Sequence, residues 1–271
     1  MEKILSYLIA ITLYNIAVAQ SQANYGNNAA AGKYCHVNGI NMYYEVYGSG
    51  EPVLLIHGNG GSIKAFKENI AALSQHFTVI AADSRAQGKT IDHSDSLSFE
   101  MMADDEAALL KKLHLNAVNV IGWSDGGIVA LEMAIRHPES VIRLMSTGAN
   151  LWPDSTAIIP SLWKEEKITA DTTHTEHFDL KQKNDWKLFM LDYTQPNITL
   201  SQLQQIKCPA LIIGGDNDLI RTEHTVLIAQ HIPNAFLWIV PNSHHATLME
   251  HKDEFNQTAI AFFSGGMIRK P

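Results

Sequence analysis

A chain of 271 residues, 46% hydrophobic and 18% charged, suits one large packed domain, long enough to bury on the order of 75% of its unfolded surface without staples. Its net charge of −8 excludes nucleic acid as a partner, because phosphate binding needs a basic footprint. Two cysteines, Cys35 and Cys208, are too few for a disulfide framework or a cysteine-based zinc site.

Residues 1–19 read as a secretory signal: Lys3 near the start, an apolar run over 4–18, and Ala17-Val18-Ala19 as a small-x-small cleavage site. The run is shorter than the roughly 20 residues of a spanning helix. The expected destination is outside the cytoplasm, secreted or periplasmic, with no stable membrane insertion once the signal is removed. Residues 20–32 read as a flexible lead-in.

The body then alternates between strand-like and helix-like periods. Strands are predicted at 34–37, 42–47, 53–57, 78–82, 118–122, 141–146, 210–214 and 236–240, and helices at 62–75, 99–114, 125–137, 222–231 and 247–263. Continuous apolar runs such as Val53-Leu54-Leu55-Ile56 suit a parallel sheet covered on both faces. Asn38-Gly39 is a hairpin signal, so the sheet should open with an antiparallel pair. Residues 150–205 break the rhythm with Trp152, Trp163, Trp186 and many charges, and read as short helices inserted after the sixth strand. The expected fold class is α/β: a core of 33–149 and 206–271 with a mostly parallel, doubly wound sheet of about eight strands, interrupted by a helical cap at 150–205.

The sharpest motif is Gly122-Trp123-Ser124-Asp125-Gly126, lying directly after an apolar strand and before a helix. A Gly-x-Ser-x-Gly turn in that context puts the serine on a tight strand-to-helix corner, exposed for nucleophilic attack. Here the chain resembles the α/β-hydrolase family, in particular its small serine hydrolases with a helical cap, over residues from about 34 to 264. The resemblance implies the order nucleophile, acid, histidine.

By that resemblance the acid follows the seventh strand. Asp218 stands three residues beyond Gly215, and Asp216 is the rival, read as a turn former. The histidine follows the eighth strand in Ser243-His244-His245-Ala246; Glu250, five residues beyond His245, selects His245, with His244 as the rival. Ser124 would then attack a carbonyl, His245 take its proton, and Asp218 fix the imidazole tautomer. The oxyanion would be met by the backbone N–H groups of Asp125 and, from His57-Gly58-Asn59-Gly60-Gly61, of Asn59, with Gly58 and Gly60 as neighbouring alternatives.

Three other features carry structural readings. Arg85, in Asp83-Ser84-Arg85-Ala86-Gln87-Gly88, is expected to hold loops together, and His57 to make a structural hydrogen bond. His174 and His177 lack a third spaced ligand and read as a solvated helix face, so neither metal nor cofactor is expected. Cys35 and Cys208 should be free thiols, since the family's strand order keeps them apart.

A serine nucleophile disfavours the family's epoxide hydrolases and dehalogenases, which use a carboxylate. Ala246 beside the histidine weakens carbon–carbon bond hydrolysis, and the oxyanion loop lacks the proline of the proline-releasing peptidases. The resulting expectation is hydrolysis of a small-molecule ester, thioester or lactone. A proline-iminopeptidase-like or C–C bond hydrolase, or a ligand-binding member without turnover, stands as the alternative. The cap tryptophans and Trp123 are expected to wall the pocket.

Overall fold

The computed structural model describes residues 24–266, so the expected signal lies outside the described residues. The strands are β1 (Gly32–Val37), β2 (Ile40–Gly48), β3 (Glu51–Ile56), β4 (Phe77–Ala82), β5 (Val118–Trp123), β6 (Val141–Thr147), β7 (Ala210–Gly215) and β8 (Ala235–Val240). They form one sheet in the order β1-β2-β4-β3-β5-β6-β7-β8. β1 and β2 are antiparallel around Asn38-Gly39, β2 runs antiparallel to β4, and every later pairing is parallel. Asn38 and Gly39 both have positive φ, 41° and 84°, the backbone that a two-residue hairpin of this twist requires.

The apolar runs divide by parity, as the two-residue period of a strand demands. Leu54 and Ile56 join Val120, Leu144 and Ile212 on one face, under α2 (Phe99–Lys112) and α3 (Asp125–Arg136). Val53 and Leu55 join Ile121, Met145 and Ile213 on the other, which α1 (Lys67–Leu73) covers. Each fully buried Leu, Ile or Phe contributes about 1.5–3 kcal/mol, so both layers are needed to offset chain entropy.

The insertion between β6 and β7 holds α4 (Pro160–Thr172), α5 (Leu180–Thr194) and the single turn α6 (Leu200–Leu203). Asp179 and Gln182 form a capping box that starts α5, whose Leu188 and Leu191 are buried. No residue of α4 is buried. Beyond β7 come α7 (Thr222–His231), α8 (Thr247–Glu250) and α9 (Lys252–Phe263), the last packing Phe255, Phe262 and Phe263 into the same layer as α1. The helix expected over 247–263 is thus two helices, parted at His251 (φ −116°, ψ 41°).

Two expectations need correcting. Of the lead-in, residues 24–31 are anchored rather than loose: Tyr25 is buried, and the Gly26 and Asn28 N–H groups donate to the Glu45 carboxylate at 2.7 and 2.9 Å. The hydroxyls of Tyr43 and Tyr47 donate to the same fully buried carboxylate, a charge desolvated only because four donors meet it. His174 and His177 are exposed but lie between α4 and α5, not on a helix face. Cys35 in β1 and Cys208 just before β7 are both free, with five strands of the sheet between β1 and β7. No helix of the described residues is long and apolar enough to cross a membrane.

Candidate active site

β5 delivers its last residue straight into a corner. Ser124 has φ 57° and ψ −121°, a strained conformation for a non-glycine residue. Its Cβ and Oγ are thereby lifted off the strand end while its carbonyl accepts the Gly127 and Ile128 N–H groups that start α3. The corner closes only with glycines around it: a Cβ on Gly122 would overlap the Gly126 carbonyl, and one on Gly126 the Ile56 carbonyl.

The loops after β7 and β8 bring the other groups to this corner. His245 Nδ1–H donates to Asp218 Oδ1 at 2.7 Å, and Ser124 Oγ–H donates to His245 Nε2 at 2.8 Å. A carboxylate only accepts, so it fixes the tautomer that leaves Nε2 basic toward the serine. The Asp218 side chain is 1% exposed, and Oδ1 also accepts the Ile220 N–H, which holds the carboxylate in register. Asp216 lies on the surface, accepting the Ser243 N–H and the Asn217 amide in the turn. His244 is equally peripheral: its side chain is 69% exposed, and its backbone N–H donates to Glu250. The structure therefore joins Ser124, His245 and Asp218, and leaves Asp216 and His244 outside.

The loop after β3, expected to supply an oxyanion donor, is built on His57, whose ring is buried. The Ser84 N–H donates to its Nε2 at 3.0 Å, so Nδ1 carries the proton and donates to the Gly58 carbonyl at 2.8 Å. Burial pushes the His57 pKa below its ordinary value, which keeps the ring neutral in this bridging role. Gly58 passes so close to the corner that a Cβ there would lie 2.9 Å from Ser124 Cβ. Asn59 follows, half-buried, with its side-chain amide donating to the Leu188 carbonyl of α5 at 3.1 Å.

Asp125, the residue after Ser124, is 3% exposed. Burial raises its pKa to about 6, against the lowering effect of hydrogen bonds from Asp192 of α5 and from Asn59. Burial, followed by the Asp125 charge, holds the Asp192 carboxyl well above the usual carboxylate range. Glu166 of α4 is raised to about 6 by burial and then by Asp192. Ser124 thus sits next to Asp125, which belongs to a carboxyl-rich wall shared by core and cap.

Three contributors were not legible as such in the sequence. Trp123, expected as a pocket wall, uses its indole Nε1–H to hold the His245 carbonyl at 2.8 Å, with the two rings 5.8 Å apart. Gly148, after β6, has φ 66°, and a Cβ there would come within 2.7 Å of His245 Cε1. Asp192 reaches Asp125 across the insertion, a contact that no local spacing announces. Two of the other expected walls, Trp152 and Trp186, make their ring contacts elsewhere. Trp152 packs edge-on against His224, and Trp186 stacks on Phe189 and lines a cavity of about 520 Å³ along α5 that does not include Ser124.

The cap is sewn to the core by polar contacts. Arg85 binds Asp105 through Nε and Nη2 at 2.6 and 2.8 Å, and Asp92 through Nη1 at 3.1 Å; Lys187 of α5 completes the cluster on Asp92 at 2.7 Å. Arg85 is 4% exposed and ties loops together. Asn184 of α5 donates to the Ala86 carbonyl beside it.

Comparison with known proteins agrees with this fold. Residues 51–163 match the model of the alpha/beta hydrolase fold family. A serine hydrolase, BPHL, of Mus musculus is 29% identical over 262 residues, covering 90% of each chain. A putative carbamate hydrolase, RutD, of Rhizobium rhizogenes is 25% identical over 262 residues, covering 82% of this chain and 97% of its own. Among solved structures, an enol-lactonase from Burkholderia xenovorans LB400 superposes with a TM-score of 0.72 at 22% identity, over 86% of this chain and all of that one.

Proposed function

We propose that the chain, which has the α/β-hydrolase fold, cleaves a small carboxylic ester, thioester or lactone through an acyl-enzyme on Ser124. The observation that carries this reading is the unbroken relay Asp218–His245–Ser124, with hydrogen bonds of 2.7 and 2.8 Å. In the proposed cycle Ser124 Oγ attacks the carbonyl carbon as its proton passes to His245 Nε2. Asp218 stabilises the resulting imidazolium, and the backbone N–H groups of Asn59 and Asp125 receive the developing oxyanion. The imidazolium then protonates the leaving alcohol or thiol, and water repeats the sequence to release the acid. In a lactone the leaving hydroxyl stays on the acyl chain throughout, and deacylation releases a single hydroxy acid.

The carboxyl-rich wall and the net charge of −8 disfavour anionic acyl groups and favour neutral or cationic substrates. Export belongs to the same reading, on the signal pattern of residues 1–19. N-terminal sequencing of protein recovered from outside the cytoplasm should begin at Gln20.

The direct test is labelling with a fluorophosphonate, followed by a panel of short esters, thioesters, lactones, a carbamate and proline amides. The label should fall on Ser124 and be lost in Ser124→Ala. Folded protein that takes no label would refute the acyl-enzyme, and turnover of proline amides alone would reassign the substrate class.

A further inference from the structure

Both residues assigned above to the oxyanion hole are tied, by their side chains, to one cap helix. Asn59 donates to the carbonyl of Leu188, and the carboxyl of Asp125, one oxygen of which is buried without another partner, faces the carboxyl of Asp192. Leu188 and Asp192 lie four residues apart on α5, hence one turn apart on the same face. The Asn59 amide also lies close enough to both carboxyls to lower their pKa values, so the loop after β3, the start of α3 and the cap meet at one point. The donors themselves are backbone N–H groups, whose aim is set by whatever holds these two side chains.

We propose that α5 sets the oxyanion hole, with Asn59 and Asp192 acting as positioning residues that align the donor-bearing backbone when the cap is seated. This rests on the acyl-enzyme reading above. The cap then does more than shape a pocket. Its seating on Asn59 and Asp125 is part of assembling the catalytic geometry, and displacement of α5 loosens both donors together.

The Asp125–Asp192 contact has a chemical requirement. Two ionised carboxylates repel, so their mutual hydrogen bond exists only while the pair keeps one proton. Around it stand Glu166 from α4, also acidic, the neutral Asn59 amide from the oxyanion loop, and His245 from the loop before α8, whose charge opposes the rise at Asp192. Loss of the shared proton as pH rises should therefore release α5 from Asp125. An amide at position 192 would instead donate to the Asp125 carboxylate without needing that proton.

The experiment is steady-state hydrolysis of a short p-nitrophenyl ester by wild type, Asp192→Ala, Asp192→Asn and Asn59→Ala, across pH 6–10. Asp192→Ala and Asn59→Ala should lose about 10- to 100-fold in kcat with KM little changed, the signature of misplaced transition-state donors. Asp192→Asn should retain most of the activity and lack the alkaline decline in kcat that wild type shows. A rise in KM at unchanged kcat in Asp192→Ala would make Asp192 a substrate contact and overturn the proposal. So would an alkaline limb identical in wild type and Asp192→Asn. Wild type that labels at Ser124 while all variants keep full kcat refutes this inference alone; wild type that neither labels nor hydrolyses removes the acyl-enzyme reading beneath it.

Discussion

The indole of Trp123 holds the backbone carbonyl of His245 at 2.8 Å, so the residue just before Ser124 anchors the loop that carries His245. One strand end therefore holds both Ser124 and His245, and their relative position does not depend on the six-residue loop after β8 alone. Trp123→Phe keeps the ring but removes the donor. Losing a hydrogen bond of about 1 kcal/mol should lower kcat roughly 5-fold, with fluorophosphonate labelling of Ser124 slowed in proportion. Labelling and kcat both at wild-type levels would count the contact as ornamental.

Asp218 and Asp216 are two residues apart but differ in what they touch. Asp218→Asn puts an amide against His245 Nδ1 and favours the wrong tautomer, so kcat should fall on the order of 10⁴-fold. Asp216→Asn disturbs an exposed turn and should leave kcat within about threefold. Ester hydrolysis under saturating substrate separates the two, and comparable losses would void the assignment of the acid.

Arg85 is a buried cation facing the carboxylates of Asp92 and Asp105. Arg85→Met leaves those charges buried without their partner and should cost about 3–5 kcal/mol of stability in urea unfolding. Because Lys187 shares Asp92, the cap should loosen before the core unfolds, which hydrogen exchange of α5 amides would detect.

Glu106, on α2, is fully buried, and burial followed by the charge of Asp105 raises its pKa to about 8. In the unfolded chain it titrates near 4.5, so between those values the folded state binds more protons than the unfolded one. Its contribution to stability is therefore fully present below about pH 4.5, falls as pH rises, and levels off above about pH 8. Glu106→Gln should flatten that slope and stabilise the protein at pH 8 by a few kcal/mol in denaturant titrations. An unchanged pH–stability curve would place the decline elsewhere, for instance at Glu132, which burial raises to about 7.

What the sequence made legible was whatever depends on neighbours along the chain. The Gly-x-Ser-x-Gly corner could be read because the strand, the serine and the helix are contiguous, and the parity of Val53-Leu54-Leu55-Ile56 already contained both layers of the core. Asp218 and His245 came from the chain order that the family resemblance implies, and the geometry brings both to Ser124. Contacts between segments far apart in the chain stayed hidden. Asn59 meets Leu188 across 129 residues, and Asp125 meets Asp192 through an insertion whose docking no periodicity encodes. The anchoring of residues 24–31 escaped for the same reason: a Gly- and Asn-rich stretch looks unstructured until Glu45 supplies its acceptors. Trp123 looked like an apolar wall because its indole N–H finds its partner 122 residues away.

The bare face of α4 has a consequence for how this enzyme can change. None of its residues is buried, yet Glu166 lies close enough to Asp192 of α5 for the two charges to interact. Substitutions along Pro160–Thr172 are consequently cheap in folding terms while still coupled to the neighbouring cap helix. A library confined to this helix should yield mostly soluble variants with altered substrate preference, whereas one spread over α3 or β5 would spend most of its members on misfolded protein.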